Sequence, residues 1–105
     1  VLGHSQCGAI GATINELTSK DTSSSENIRA IVDRVKPSIQ SLMATDLKND
    51  RAALEKEAVR ANVRASVNQL QHGSTIIENL VETDGLLIVG AEYSLETGVV
   101  EFFDS

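Results

Sequence analysis

Apolar residues recur at helical spacing through most of this chain, and two runs of strand character close it at either end. Ile10, Ile14 and Leu17 fall four and three residues apart and predict a helix over 7–17, with Ser5 as a candidate N-cap. Ile28, Ile31, Val32 and Val35 predict a second helix starting near Ser25, whose hydroxyl is placed to cap it. Pro37 has no backbone N–H and should break that helix or open another, with Ile39, Leu42 and Met43 on the next apolar face. A longer helix is predicted from about 51 to 71. Val59, Val63, Val67 and Leu70 form its stripe, with Leu54, Ala58, Ala61 and Ala65 beside it. The small alanines predict close packing against another helix or a sheet. His72-Gly73 should end this helix, glycine being the usual left-handed stop, and Ser74 can cap a short one through Ile76, Ile77 and Leu80.

Residues 86–91, Leu-Leu-Ile-Val-Gly-Ala, follow an Asp84-Gly85 turn as an unbroken apolar run of strand length. Such a run predicts a strand buried on both faces of a mostly parallel sheet. Glu96-Thr97-Gly98 then turns the chain into a closing strand over 99–103, able to pair with it as a hairpin. At the other end, Val1-Leu2-Gly3 reads as the last residues of a buried strand, and residues 20–26 as a polar loop, the most mobile stretch expected. Gly8 and Gly11 each cost a helix roughly 1 kcal/mol relative to alanine, which predicts close backbone packing or approach to a ligand there. The order of elements is α/β: a partial, mostly parallel sheet flanked by helices, with a C-terminal strand pair. So thin a sheet leaves amphipathic helices with little to cover. Residues 1–105 are therefore expected to form a single incomplete domain whose N-terminal part lies upstream of Val1.

Composition narrows the function classes. Nine Lys and Arg against 15 Asp and Glu give a net charge of −6 with no basic run, which argues against a nucleic-acid backbone or an anionic membrane surface as partner. No apolar stretch approaches the ~20 residues needed to cross a bilayer. One cysteine makes no intrachain disulfide and fits a reducing compartment, so a cytoplasmic location is expected.

The candidate chemistry lies in His4-Ser5-Gln6-Cys7-Gly8, where an imidazole and the sole thiol stand three residues apart at a strand-to-helix junction. Both are zinc ligands by type, but a catalytic zinc site needs three protein ligands and an open position, and this segment supplies two. On residue types alone the pair is also what chance, or an inert buried thiol, would give. His72 reads as a surface residue at a helix C-terminus, favoured there by the dipole. Glu55, Lys56 and Glu57 read as a solvated helix face with a little pairing, and Asn62 as a cap or bridge within the helical layer.

Leu2-Gly3-His4-Ser5-Gln6-Cys7-Gly8-Ala9 resembles the second zinc motif of the β-class carbonic anhydrases, a Gly-His-x-x-Cys-Gly sequence that follows a core strand and opens a helix. Asn62-Val63-Arg64 with Leu70 is similar to that family's long helix. Leu86, Ile88-Val89-Gly90-Ala91, Tyr93, Leu95, Thr97-Gly98 and Val100 are similar to its C-terminal strand pair. The resemblance implies a zinc-dependent lyase, carbonate dehydratase, hydrating carbon dioxide reversibly to bicarbonate, with His4 and Cys7 as metal ligands and no catalytic side chain assigned. It also implies a homo-oligomer, dimer or higher. Tyr93 resembles a tyrosine from a region that helps bind bicarbonate in some members, and packing beside the last strands is its plainer role. The family's earlier Cys-x-Asp-x-Arg motif, whose cysteine is a further zinc ligand, has no counterpart in these residues. The activity is therefore expected of the complete protein. The alternative is a non-catalytic α/β oligomerisation module that binds zinc weakly or not at all.

Overall fold

Helix α3 (Arg51–His72) is the element on which the rest is assembled. Asp50 caps it by accepting the Ala53 N–H at 3.2 Å, and Leu54, Ala58, Val59, Val63 and Val67 are buried along it. Helices α1 (Gly8–Thr18) and α2 (Glu26–Ile39) pack against one another and against α3. Ile10, Ile14, Val35, Ile39, Leu54, Ala58 and Val59 form the shared core. The computed structural model describes residues 1–18 and 25–103. Most of the polar loop predicted over 20–26 thus lies outside the described residues, while Ser25 caps α2 and Glu26 opens it.

Polar groups inside this helical layer are satisfied. Thr13, fully buried, donates its hydroxyl to the Ala9 carbonyl at 2.8 Å. Glu16 of α1 pairs with Arg29 at 3.0 Å and Lys36 at 3.7 Å on α2. Ser38 donates to Asn62 Oδ1 at 3.1 Å, so Asn62 bridges α2 and α3 as its sequence position suggested.

Two expectations about helix ends are met only in part. Pro37 does not break α2 at once: it is accommodated in the last turn, and the helix ends two residues later, at Ile39. The chain continues to Ile39 and then tightens into two short 3-10 turns, Gln40–Ala44 and Asp46–Asn49. Gly73 does stop α3, but at φ −90° rather than in the left-handed region. What demands glycine there is space, since a Cβ would stand 2.5 Å from the Gln69 carbonyl oxygen. Helix α4 (Thr75–Thr83) follows, capped by Ser74 as predicted, and packs on α3.

Strands β1 (Leu2–His4), β2 (Gly90–Tyr93) and β3 (Val100–Phe103) form one sheet in that order, β1 and β2 parallel, β2 and β3 an antiparallel hairpin. The α/β class and the terminal strand pair agree with the sequence reading. Register sets Gly3 beside Glu92 and Gly90 beside Phe103. Both glycines face α3, where a Cβ on Gly3 would lie 2.7 Å from Val63 Cγ2 and one on Gly90 would lie 2.9 Å from Val63 Cγ1. The close approach predicted at Gly8 and Gly11 is found here instead. A Cβ on Gly8 would meet nothing within 4 Å, and one on Gly11 only ordinary contacts.

The buried-strand readings also need correction. The ladder of β2 begins at Gly90, with the Val1 amino group donating to the Val89 carbonyl at 2.8 Å, and Leu87 is 77% exposed. Leu2 is 62% exposed, since β1 is an edge strand and α3 covers only the opposite face of the sheet. The radius of gyration is 15.1 Å, whereas a compact chain of this length would have about 13 Å. Ile76 and Phe102 are more than two-thirds exposed.

Candidate metal centre

The end of β1 carries His4, and the residue before α1 is Cys7, so the strand-to-helix junction presents both donors as the motif implies. His4 Nδ1 lies 2.8 Å from the Ser5 carbonyl oxygen. A carbonyl only accepts, so this contact is a hydrogen bond in the tautomer with the proton on Nδ1, which in the neutral ring leaves the lone pair on Nε2. Cys7 is half-buried and packs against the helical core, while its carbonyl accepts the Gly11 N–H at 3.0 Å. Between them Gln6 takes a left-handed φ of 54°, which turns the chain sharply from strand to helix.

Ser5 does not cap α1. Its N–H extends the pairing of β1 with β2 by bonding the Tyr93 carbonyl at 2.9 Å. Its hydroxyl accepts the Leu95 N–H at 2.9 Å and donates to Glu96 Oε2 at 3.1 Å. Gln6 Nε2 donates to the other oxygen of Glu96 at 2.5 Å, and Ser94 Oγ donates to Oε2 at 2.9 Å. Glu96 sits in the loop between β2 and β3, where Gly98 supplies the positive φ of the turn. Its carboxyl is held below the ordinary carboxylate value by its own backbone N–H, then by the Ser94 and Ser5 hydroxyls and the Gln6 amide. Sequence reasoning missed this residue, reading Glu96 only as part of a turn.

Two recesses flank the junction. His4 lies with Leu2, Gly3, Tyr93 and Leu95 around a shallow apolar depression on the open face of the sheet. A larger cleft of about 570 Å³ on the α3 side is lined by Ser5, Gln6, Arg60, Glu92 and Glu96 among others, but by neither His4 nor Cys7. Arg60 pairs there with the shielded Glu92 and with the largely exposed Glu101, each at 3.1 Å. The larger cleft thus holds neither of the two sequence-predicted donors, and His4 borders the apolar depression instead.

Other candidates fall where their plainer reading placed them. His72 is exposed in the last turn of α3. Glu55 pairs with Arg51 at 2.8 Å along the helix surface. Tyr93 is half-buried in β2, opposite His4 in the parallel register.

By donor chemistry His4 Nε2 and Cys7 Sγ fit zinc as two of four tetrahedral positions. Among the described residues no group of three or more His, Cys, Asp or Glu side chains is gathered to hold a metal, so the set is incomplete within them. Nor is any described helix long and apolar enough to cross a membrane.

Known proteins match this arrangement along almost its whole length. The family model for carbonic anhydrase matches residues 1–100. A carbonic anhydrase of Mycolicibacterium smegmatis is 38% identical over 103 residues, spanning 96% of this chain and 46% of the relative. A tetrameric β-carbonic anhydrase from the filamentous ascomycete Sordaria macrospora superposes with a TM-score of 0.78 at 19% identity, covering 97% of this chain and 49% of that one. The β-carbonic anhydrase CcaA superposes at 0.73 with 23% identity, covering 100% and 49%. The chain thus spans about half the length of the curated relative and of the solved structures it matches. With the family model running from the His4–Cys7 junction through the strand pair, the chain belongs to the carbonic anhydrase family, in the β-class fold.

Proposed function

We propose that this chain contributes to a zinc-dependent carbonic anhydrase, a lyase interconverting carbon dioxide and bicarbonate, in which His4 and Cys7 are two of the metal's protein ligands. The observation that supports the reading is the 2.8 Å contact of His4 Nδ1 with the Ser5 carbonyl, which suits a neutral imidazole with Nε2 available as a ligand, three residues from the only thiol. Zinc, when bound, supplies a Lewis acid that brings the ionisation of water down toward neutral pH. The chain's own residues orient the donors. Ser5 fixes the imidazole tautomer, Gln6 supplies the sharp turn, and the core beneath Cys7 anchors the sulfur. Leu2, Tyr93 and Leu95 border His4 with apolar surface suited to an uncharged substrate such as carbon dioxide. A cytoplasmic location belongs to the same reading, because a reducing compartment keeps the sole thiol free to ligate.

Metal analysis of the purified chain, alongside carbon dioxide hydration with and without added zinc, tests this. Cys7→Ser is expected to remove the bound metal. Metal content unchanged by that substitution would refute the ligand assignment.

A second reading, a non-catalytic module that folds by self-association, is favoured by the exposure of Leu2, Phe102, Leu87 and Ile76. The Sordaria macrospora proteins are tetrameric, and both readings expect a homo-oligomer here. A monomer by light scattering would count against the second.

A further inference from the structure

We propose that Glu96 is a positioning residue for the His4–Cys7 junction: its carboxylate grips Ser5 and Gln6, the two residues between the donors, and thereby sets the donors' separation and direction. The inference rests on the reading of His4 and Cys7 as metal ligands. The geometry is specific. One oxygen receives the Gln6 amide and the other the Ser5 hydroxyl, from a loop 90 and 91 residues further along the chain. Ser5 also accepts the Leu95 N–H, so the junction and the β2–β3 loop are joined by three hydrogen bonds.

Two local features make such a clamp necessary. Gln6 sits at φ 54°, a conformation that a non-glycine residue holds only when its surroundings over-determine it. The α1 N-terminus also lacks the Ser5 cap that its sequence offers, because that hydroxyl is engaged by Glu96 and Leu95. Glu96 itself is fixed by Ser94 Oγ, and Ser94 Oγ in turn accepts the Thr97 N–H at 3.3 Å. The carboxylate is thus oriented by its own loop before it reaches the junction. Glu96 touches neither donor and takes no part in bond making. Its effect passes through Ser5, whose carbonyl holds the His4 tautomer, and through Gln6, the residue next to Cys7.

The test uses cobalt(II) as a spectroscopic probe for the zinc position, titrated into the unaltered chain, Glu96→Ala, Glu96→Gln and Cys7→Ser. Circular dichroism gives the unfolding temperature of each metal-free protein. The expected result is a cobalt affinity about tenfold or more weaker in Glu96→Ala, the usual effect of removing a partner behind a metal ligand. Its thiolate-to-cobalt and ligand-field bands should shift, and Glu96→Gln, which keeps one acceptor oxygen, should recover part of both. Glu96→Gln alone carries the comparison if Glu96→Ala does not fold. Hydrogen exchange supplies a metal-free readout: the Leu95 amide should exchange faster in the variants, while the Ala91 ladder amide stays protected. Cobalt affinity within about twofold of the unaltered chain in both Glu96 variants, with unchanged bands and Leu95 exchange, overturns the positioning role. If Cys7→Ser abolishes binding in that same series, the ligand reading survives. Cobalt binding that survives Cys7→Ser overturns the ligand reading and the positioning role with it; if the unaltered chain, with two of the ligands, binds no cobalt, the Leu95 exchange decides the positioning role, and exchange unchanged in both Glu96 variants overturns it.

Discussion

Gly3 of β1 lies so close to α3 that a Cβ added to it would stand 2.7 Å from Val63 Cγ2 and 3.1 Å from Val59 Cγ1. The strand that delivers His4 is therefore seated directly on the valine stripe of the long helix. Gly3→Ala is expected to destabilise the fold by about 1–3 kcal/mol, the usual range for overpacking a tight contact. Adding Val63→Ala should make the double variant cost less than the two single costs summed, by about 0.5 kcal/mol or more, because the two sites share the contact. Urea unfolding midpoints of the four proteins measure this. Strict additivity would show that the strand and helix do not constrain one another.

Arg60 and Glu92 form the one well-shielded ion pair between helix and sheet among the described residues, with side chains 17% and 11% exposed. Phe103 flanks the same guanidinium at 5.2 Å, and Glu101 accepts its other end. Arg60→Ala should cost about 1–3 kcal/mol, since it leaves the Glu92 carboxylate half-buried without its cation. Arg60→Lys should fall between, because an ammonium keeps the charge but loses the planar fork. Thermal unfolding at neutral pH reads the order. Equal stability of Arg60→Ala and the unaltered chain would contradict it.

Features written within a few residues of one another were legible in the sequence. Ser25 and Ser74 cap the helices their positions predicted, and the predicted stripe of α3 is buried at Val59, Val63 and Val67, though Leu70 at its end is exposed. The His4–Cys7 junction also stands at the predicted strand-to-helix boundary. What escaped was set at long range. Ser5 looks like a cap locally, and only the approach of Glu96 and Leu95 diverts its hydroxyl. Hydrophobicity at Leu2 and Leu87 reads as burial, yet burial depends on what covers a face, and α3 covers one face of the sheet only. Gly8 and Gly11 are visible as anomalies in a helix, but whether a glycine is needed for space is decided by its neighbours, and those crowd Gly3 and Gly90 instead.

Leu54 and Ile76 separate the stability of this chain from its capacity to associate. Leu54 is 2% exposed in the helical core, and Leu54→Ala should cost about 2–5 kcal/mol by loss of burial and formation of a cavity. Ile76 is 74% exposed on α4, so Ile76→Ala should change monomer stability by no more than about 0.5 kcal/mol. If the open apolar surfaces bind a second copy through α4, Ile76→Asp will lower the association constant measured by sedimentation. Unfolding of the dilute protein should then stay where it was. A drop in dilute stability equal to that of Leu54→Ala would place Ile76 in the core.

Glu96 gives the fold a dependence on acid that can be assigned to one carboxylate. Its folded value is depressed below the ordinary 4.5 by its own backbone N–H, the Ser94 and Ser5 hydroxyls and the Gln6 amide. A depressed carboxylate binds its proton less readily in the folded state than in the unfolded one, so folding is favoured wherever the unfolded group is ionised. The contribution is fully present above that ordinary value, which the unfolded chain keeps, and is lost as pH falls through the lower folded value. Glu96→Gln cannot ionise and should lack this dependence. The difference in unfolding midpoint between the unaltered chain and Glu96→Gln should therefore favour the unaltered chain at neutral pH, hold constant down to about pH 5, and shrink below it. Equilibrium unfolding from neutral pH into the acid range measures it. A difference that stays constant through that range would mean that the hydrogen bonds gathered on Glu96 do not favour its charged form.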